Sequence, residues 1–441
     1  MGHPLRAPCR ALVASTFLLA CSSSALVESS PPLRGRPEEG DASSLADAPS
    51  TYRDGGVRPP LDLAHEGGAV VRIPYVPADI NHILSTGQSL ATGYGGVATS
   101  LTQPFKNVML GHGVATSIAF GQPFIPLVEG PSYETISSAL ANHVAWRALT
   151  DDVLSHAILV SIHGGGGTPY SGLKKGTDFY QRGMDQVTGA RSRALTNGQS
   201  YVVRCVTSIH GETDTLEHNT HYESAIIQWQ EDYETDVRAL TGQAAAVPML
   251  HSQNSANAGS TIPLDMLNAH IHAPGKVVLV GPKYHIPYVE GVHLTTDGYR
   301  HLGEDYAKVY KRIVIDGLPW EPLRPGTITR DGATITISFL VPAPPLVIDT
   351  TLVEVAPGFG FVYSDASGAS PSVVNVAITA PDTVVITLSS APVGAGKIRY
   401  AYWDQLGNYG PRGNLRDSDA TPSRFGYALY NWSVQFEEDV P

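Results

Sequence analysis

Two stretches far apart in the chain carry residue types that could make and break an ester bond. In "HILSTGQSLATG", Ser89 follows an apolar strand-like run and Gly87, at a point where the chain could turn into a helix or a tight bend. Open α/β sheets place ligands at the carboxyl ends of their strands, and a serine hydroxyl there becomes a nucleophile when a base takes its proton. The base candidate lies in "YVEGVHLTTDGYRHLGE". Glu290 and His293 stand three residues apart there, just before a helix that Thr295 or Thr296 is placed to cap. On one turn, that spacing lets the carboxylate hold one imidazole nitrogen while the other nitrogen faces the serine. A carboxylate so placed fixes the tautomer and stabilises the imidazolium. Asp297, four residues after His293, competes with Glu290 for this part, but a first-turn acid at a helix start is the simpler account of it.

Such residues need elements to hold them. From about residue 75 to 320, continuous apolar runs ("INHILST", "HAILVSIHG", "YVVRCVTSIHG", "KVVLVGP") alternate with helical patterns ("ETISSALANHVAWRALT", "DFYQRGMDQVTGARSRALT", "ESAIIQWQEDYETDVRALT", "TTDGYRHLGEDYAKVYKRIV"). Strands separated by helices of that length imply βαβ crossovers and a parallel sheet in a three-layer α/β sandwich. After "GLPWEPLRPG" the pattern becomes strict alternation ("ATITISFLV", "VVNVAIT", "DTVVITLSS", "KIRYAYW"), which predicts a separate all-β sandwich over residues 321–441. Its aromatic stretch around Tyr400, Tyr402 and Trp403 suits core packing first and a sugar-binding surface second.

Four blocks in order, "GQS", "HGGGGT", "HGETD" and "EGVHLTTDGYRHLG", resemble those of the SGNH/GDSL hydrolase superfamily, and within it the sialate O-acetylesterase-like branch that includes acetylxylan esterases. The resemblance spans about residues 76–310. It implies a three-layer α/β/α domain with a flavodoxin-like parallel sheet over residues 73–320, and a serine esterase that removes acetyl groups from carbohydrate hydroxyls without metal or cofactor. Ser89 would be the nucleophile, His293 the base and Glu290 its acid. The backbone N–H of Ser89 and that of Gly165 or Gly166 would hold the oxyanion. Two positions depart from the family pattern. Glu290 replaces the usual aspartate and is one methylene longer. His210 replaces the glutamine of an HQGESD-like block, so a ring N–H of His210 would serve the oxyanion in its place. In the same block Glu212 is expected to support the nucleophile loop rather than react, and Asp214 accompanies it. Glu134, in "GPSYETISSAL", is read as an acid at a helix N-terminus.

The rest of the chain bounds these readings. A net charge of −12 with no basic cluster excludes a nucleic-acid partner. Arg6 and Arg10, a short apolar core and "LLAC" ending at Cys21 form an export signal over residues 1–20 that resembles a bacterial lipobox. Lipidated at Cys21, the protein would sit in the cell envelope, its only membrane contact that anchor, and Ser22 after it favours the outer membrane. Residues 21–72 are rich in Ser, Pro, Gly and acids, and read as a flexible tether. Cys205, in an apolar run, reads as a buried small hydrophobe. His163 and His285 belong to no H-x-x-x-H or Cys/His cluster, so no metal site is expected. The partner is then an acetylated glycan or small ester. The alternatives are a surface-anchored carbohydrate-binding protein with a weak or inactive SGNH domain, and a GDSL-type lipid or polyester esterase. The absence of a long apolar lid segment weighs against a lipase.

Overall fold

The strand that precedes Ser89 is buried along its whole length, because parallel strands flank it on both sides. The computed structural model describes residues 75–441 apart from Pro131 and residues 403–409. The expected signal, Cys21, the tether and Trp403 therefore lie outside the described residues.

In chain order the first part runs β1 (Ile80–Gly87), β2 (Val108–Leu110), β3 (Phe124–Pro126), α1 (Ser137–Asp151), β4 (Ile158–Ile162), α2 (Tyr170–Leu173), α3 (Asp178–Thr196) and β5 (Tyr201–Ile209). It continues through α4 (Glu212–Leu216), α5 (Tyr222–Thr241), β6 (Met249–Gln253), α6 (Ile262–His272), β7 (Val277–Pro282) and α7 (Thr296–Tyr310). The seven strands form one sheet in the order β3-β2-β4-β1-β5-β6-β7. Every neighbouring pair is parallel except the edge pair of β2 with β3. Chain order reverses direction across β1, so its carboxyl end is the topological switch point where such sheets open a crevice.

The side-chain alternation of the strands divides the core into two layers. Ile83, Cys205, Leu250, Val278 and Val280 face α1 and α7, where Leu140, Val144, Leu302, Tyr306 and Tyr310 cover them. Leu84, Val206, Met249, Val277 and Leu279 face α3, α5 and α6, beneath Tyr180, Trp229, Tyr233 and Met266. This is the expected α/β/α arrangement. Cys205 is a fully buried part of the first layer, and burial pushes its thiol pKa up, which suits an inert core residue.

From Arg324 onward the described strands are antiparallel and lie in separate sheets. A four-stranded sheet holds Arg324–Asp331, Thr334–Leu340, Val373–Ala380 and Thr383–Leu388, and a three-stranded sheet holds Phe361–Asp365, Gly396–Tyr400 and Phe436–Val440. Their inward residues, among them Ile337, Ile386, Phe361 and Phe436, share one cluster with the α3–α5–α6 layer. All described residues accordingly belong to one compact unit. Polar bonds reinforce the seam. Gln435 N–H donates to Gln253 Oε1 at 2.7 Å and Gln253 Nε2 donates to Gln435 O at 3.0 Å. The Tyr284 hydroxyl donates to Ser433 O at 2.6 Å. Tyr400 is fully buried against Phe436 and Tyr402 is buried with its hydroxyl on Gly259 O, which places both in packing roles.

Differences from the sequence reading are local. The helix expected from Glu134 starts at Ser137. The one expected to reach residue 314 is α-helical to Tyr310 and ends in a π-helical turn, Lys311–Ile315. Strands β2, β3 and β6 and helix α6 had no counterpart in the sequence reading.

Candidate active site

Gly87 ends β1 with φ +128, and a Cβ there would lie 2.2 Å from Ile209 O. Only glycine lets the chain turn so close to β5. The turn that follows is closed by the Tyr94 N–H and the Thr92 hydroxyl, both donating to Ser89 O at 3.0 Å. Ser89 thereby sits just past the carboxyl end of β1, at the switch point of the sheet.

Facing it is the loop between β7 and α7. The Thr295 side chain caps α7 by accepting from Gly298 N–H at 3.0 Å, which fixes where the loop ends. Ser89 Oγ lies 2.8 Å from His293 Nε2, and His293 Nδ1 makes a short hydrogen bond to Glu290 Oε1. Glu290 also accepts from the His293 N–H at 2.8 Å and from the Val292 N–H at 3.2 Å. Partial burial pushes the Glu290 pKa up, but these hydrogen bonds outweigh it and hold the carboxyl below the usual glutamate range. An ionised Glu290 accepts from Nδ1–H, which leaves Nε2 to accept from the serine hydroxyl. The extra methylene of glutamate is absorbed without loss of contact. Asp297, the competing acid, instead accepts from the Tyr427 hydroxyl at 2.9 Å and lies 3.7 Å from Arg300.

The glycine block resolves into distinct parts. Gly165 N–H donates to Gly87 O at 3.0 Å, and a Cβ on Gly165 would meet the Phe179 ring at 2.2 Å. Its N–H is spent on the loop and its missing side chain on packing. A Cβ on Gly166 would lie 4.0 Å from Ser89 Cβ, so Gly166 is the glycine placed beside the nucleophile.

His210 is buried and committed elsewhere. Its Nε2–H donates to Thr168 O at 3.0 Å and its Nδ1 accepts from the Tyr222 hydroxyl at 2.6 Å. Burial lowers its pKa and keeps the ring neutral. With both nitrogens engaged, the ring N–H expected at the oxyanion instead anchors the glycine loop. The rest of the block acts alongside: Thr213 N–H donates to Gln88 Oε1 at 3.2 Å, and Asp214 accepts from Tyr170 N–H at 2.9 Å. Glu212 is buried 3.5 Å from the equally buried Lys283. Support for the Ser89 turn thus comes from its neighbours in the block, Thr213 above all.

Glu134 does not cap α1. The Ser138 N–H of that helix donates to Glu129 at 2.8 Å, while Glu134 is fully buried and accepts from Thr99 N–H and Ser100 N–H at 2.7 and 3.0 Å. Arg300 completes its shell at 3.2 Å, so the residue ties the loop after Ser89 to α7.

Two features had no place in the sequence reading. The Tyr94 ring stands edge-on to the His293 ring at 4.7 Å, and Tyr133 lies 5.7 Å from Tyr94. Both are exposed, as are Val97 and Val289, which gives the site an apolar rim. The only marker in the sequence is an aromatic in the glycine-rich stretch after Ser89. The second feature is a group of ligand-type side chains, His285, His301 and Asp305, whose candidate ligand atoms all lie within 4.8 Å of one another. In sequence, His301 and Asp305 form an H-x-x-x-D pair rather than H-x-x-x-H. His163 does not belong to the group and bonds the Tyr233 hydroxyl at 2.6 Å.

No protein-family model matches the chain, and no curated protein matches it. Solved structures do. A carbohydrate acetylesterase from Xanthomonas citri superposes with a TM-score of 0.53 at 15% identity, over 81% of this chain and 80% of that one. A protein from Arabidopsis thaliana gives a TM-score of 0.39 at 20% identity, over 53% of this chain and 98% of that one. A carbohydrate acetylesterase from Sinorhizobium meliloti gives 0.32 at 13% identity, over 53% and 99%. The first of these likenesses establishes a shared fold.

Proposed function

We propose that the protein is a serine carboxylic ester hydrolase that removes acetyl groups from carbohydrate hydroxyls. The observation that carries the reading is the hydrogen-bonded series from Ser89 Oγ through His293 to Glu290, set at the switch point of a parallel sheet. Ser89 attacks the ester carbonyl carbon as its proton passes to His293 Nε2. The carbonyl oxygen becomes an oxyanion, which the backbone N–H groups of Ser89 and Gly166 receive. Collapse of the intermediate expels the sugar oxygen, which takes the proton from His293. Water, deprotonated by the same imidazole, then releases acetate and restores the Ser89 hydroxyl. One oxyanion donor is worth ~3 kcal/mol. The acetylated-glycan assignment, including the sialate or acetylxylan type, rests on the sequence resemblance, and the likeness to the Xanthomonas citri carbohydrate acetylesterase supports it.

The test is hydrolysis of p-nitrophenyl acetate and longer acyl esters by the full chain, with and without Ser89→Ala, followed by acetate release from acetylated glycans. Acetate-selective turnover lost in the variant supports the reading. Turnover equal in both proteins, or absent, favours the carbohydrate-binding alternative. The apolar rim of Tyr94, Val97 and Val289 favours one rival among esterases, an enzyme for apolar esters, and preference for long acyl chains would select it.

We also propose that the chain is lipid-anchored at Cys21 in the cell envelope, on the strength of the lipobox-like "LLAC". Cys21→Ala should release the protein from the membrane fraction.

A further inference from the structure

We infer that His285, His301 and Asp305 form a divalent-metal site of the zinc class that clips the base of the loop carrying Glu290 and His293. His301 and Asp305 stand four apart on α7 and therefore on one face of it, and His285 follows β7. His285 Nε2 lies 3.6 Å and His301 Nε2 4.0 Å from Asp305 Oδ2. These separations are too long for hydrogen bonds. All three ligand atoms lie within 4.8 Å of one another, wider than the roughly 3.3 Å between donor atoms around a tetrahedral zinc ion with bonds of ~2.0–2.1 Å, so binding would draw the side chains inward.

The polar groups themselves ask for a ligand. Both ring nitrogens of His285, His301 Nε2 and Asp305 Oδ1 are buried with no hydrogen-bond partner, and the His285 side chain is 5% exposed. Each orphaned buried group has lost its water without gaining a partner, a cost that coordination removes. A void of about 20 Å³ bounded in part by His285, Asp305, Lys308 and Trp432 has room for one water as a fourth ligand. Lys308 lies 3.9 Å from Asp305 Oδ1, and its charge is matched by Asp419 at 3.1 Å. The β region walls the group in, with Trp432 stacked on His285 at 5.4 Å and Tyr427 on His301 at 5.0 Å. Two imidazoles and one carboxylate with an open position suit Zn²⁺ better than Mg²⁺ or Ca²⁺, which take oxygen ligands.

Glu290 and His293 lie in sequence between His285 and His301. Metal binding would join the two ends of this segment and reduce the loop's freedom, so the site acts on hydrolysis by positioning. Its primary readouts do not depend on the proposed esterase activity.

The test uses the full chain, purified without chelators and then stripped. Zn²⁺ and Co²⁺ are titrated back with metal analysis, visible absorption of the Co²⁺ form and thermal melting. The expected result is one equivalent of metal per chain, a visible Co²⁺ band, and a Tm a few degrees higher for the loaded protein. His301→Ala and the shape-conserving Asp305→Asn should each lose the equivalent and the band. Metal removal should lower kcat on p-nitrophenyl acetate more than it changes KM. No stoichiometric binding to the parent chain overturns the proposal, as does equal binding by Asp305→Asn. A chain that hydrolyses esters but binds no metal overturns the metal site alone. One that binds metal but hydrolyses nothing leaves the site standing and removes the esterase reading.

Discussion

The stretch from His285 to Asp305 holds two imidazole–carboxylate groups built from nearly the same chemistry in opposite surroundings. At Glu290 and His293 the carboxylate is exposed, every polar atom of the pair has a partner, and the last partner is a serine hydroxyl. At His285, His301 and Asp305 the side chains are shut beneath Trp432 and Tyr427, and four polar atoms have none. A completed hydrogen-bond series next to solvent suits proton transfer, whereas unengaged lone pairs on imidazole and carboxylate in a closed space suit a cation. Residue type alone distinguishes neither; burial and the presence of a final partner do.

The sharpest way to break the comparison is Ser89→Ala. It should reduce kcat on p-nitrophenyl acetate by about 10⁴-fold or more with an unchanged melting curve; a retained rate would remove the serine from the open group. Glu290→Gln comes next. It preserves shape but lets the imidazole adopt the wrong tautomer, and kcat should fall roughly 10²-fold or more. Asp297→Asn in parallel assays should stay within about twofold, and the opposite ranking would transfer the acid's part to Asp297.

Gly165→Ala should lower stability by about 1–3 kcal/mol through the Phe179 clash, read as a fall in the denaturant midpoint. Gly166→Ala should leave the midpoint nearly unchanged and lower kcat. The remaining prediction concerns pH. Burial pushes His82, His156, His163 and His251 each down to about 3. Below their ordinary value of about 6.5 the unfolded chain takes up protons that the folded chain does not. Stability should thus fall as pH drops from about 6.5 toward 3, by on the order of 1 kcal/mol or more for each ring. Denaturation midpoints flat across that range would contradict neutral burial.

Much of the α/β part was legible because its signal is local. The apolar runs of β1, β4, β5 and β7 and the long helical periodicities of α3, α5 and α7 stand out in the chain. Strand β6, "MLHSQ", does not. It buries His251, Ser252 and Gln253, and the partner that satisfies Gln253 is Gln435, 182 residues away. Helix α6 carries Pro263 as its second residue, inside a loop-like context.

The pairing of Ser89, His293 and Glu290 could be read from spacing and motif order. The choice of Gly166 over Gly165 could not, since it depends on a bond to Gly87 O. His210 and Glu134 were misplaced for the same reason, because their partners Thr168, Tyr222, Thr99 and Arg300 lie on other elements. Of the buried cluster, His301 and Asp305 follow a helical spacing a wider search would catch, while His285 joins them only through the fold.

The shared core has a consequence for how this architecture can be rearranged. With Phe361, Phe436 and the layer under α5 in one apolar cluster, and Gln253 and Gln435 exchanging hydrogen bonds, the β region is a wall of the α/β part rather than a detachable passenger. A fusion or shuffled chain that kept only the first 320 residues would inherit a half-open hydrophobic face where Leu84, Val206 and Trp229 now share their cluster with Phe361 and Phe436.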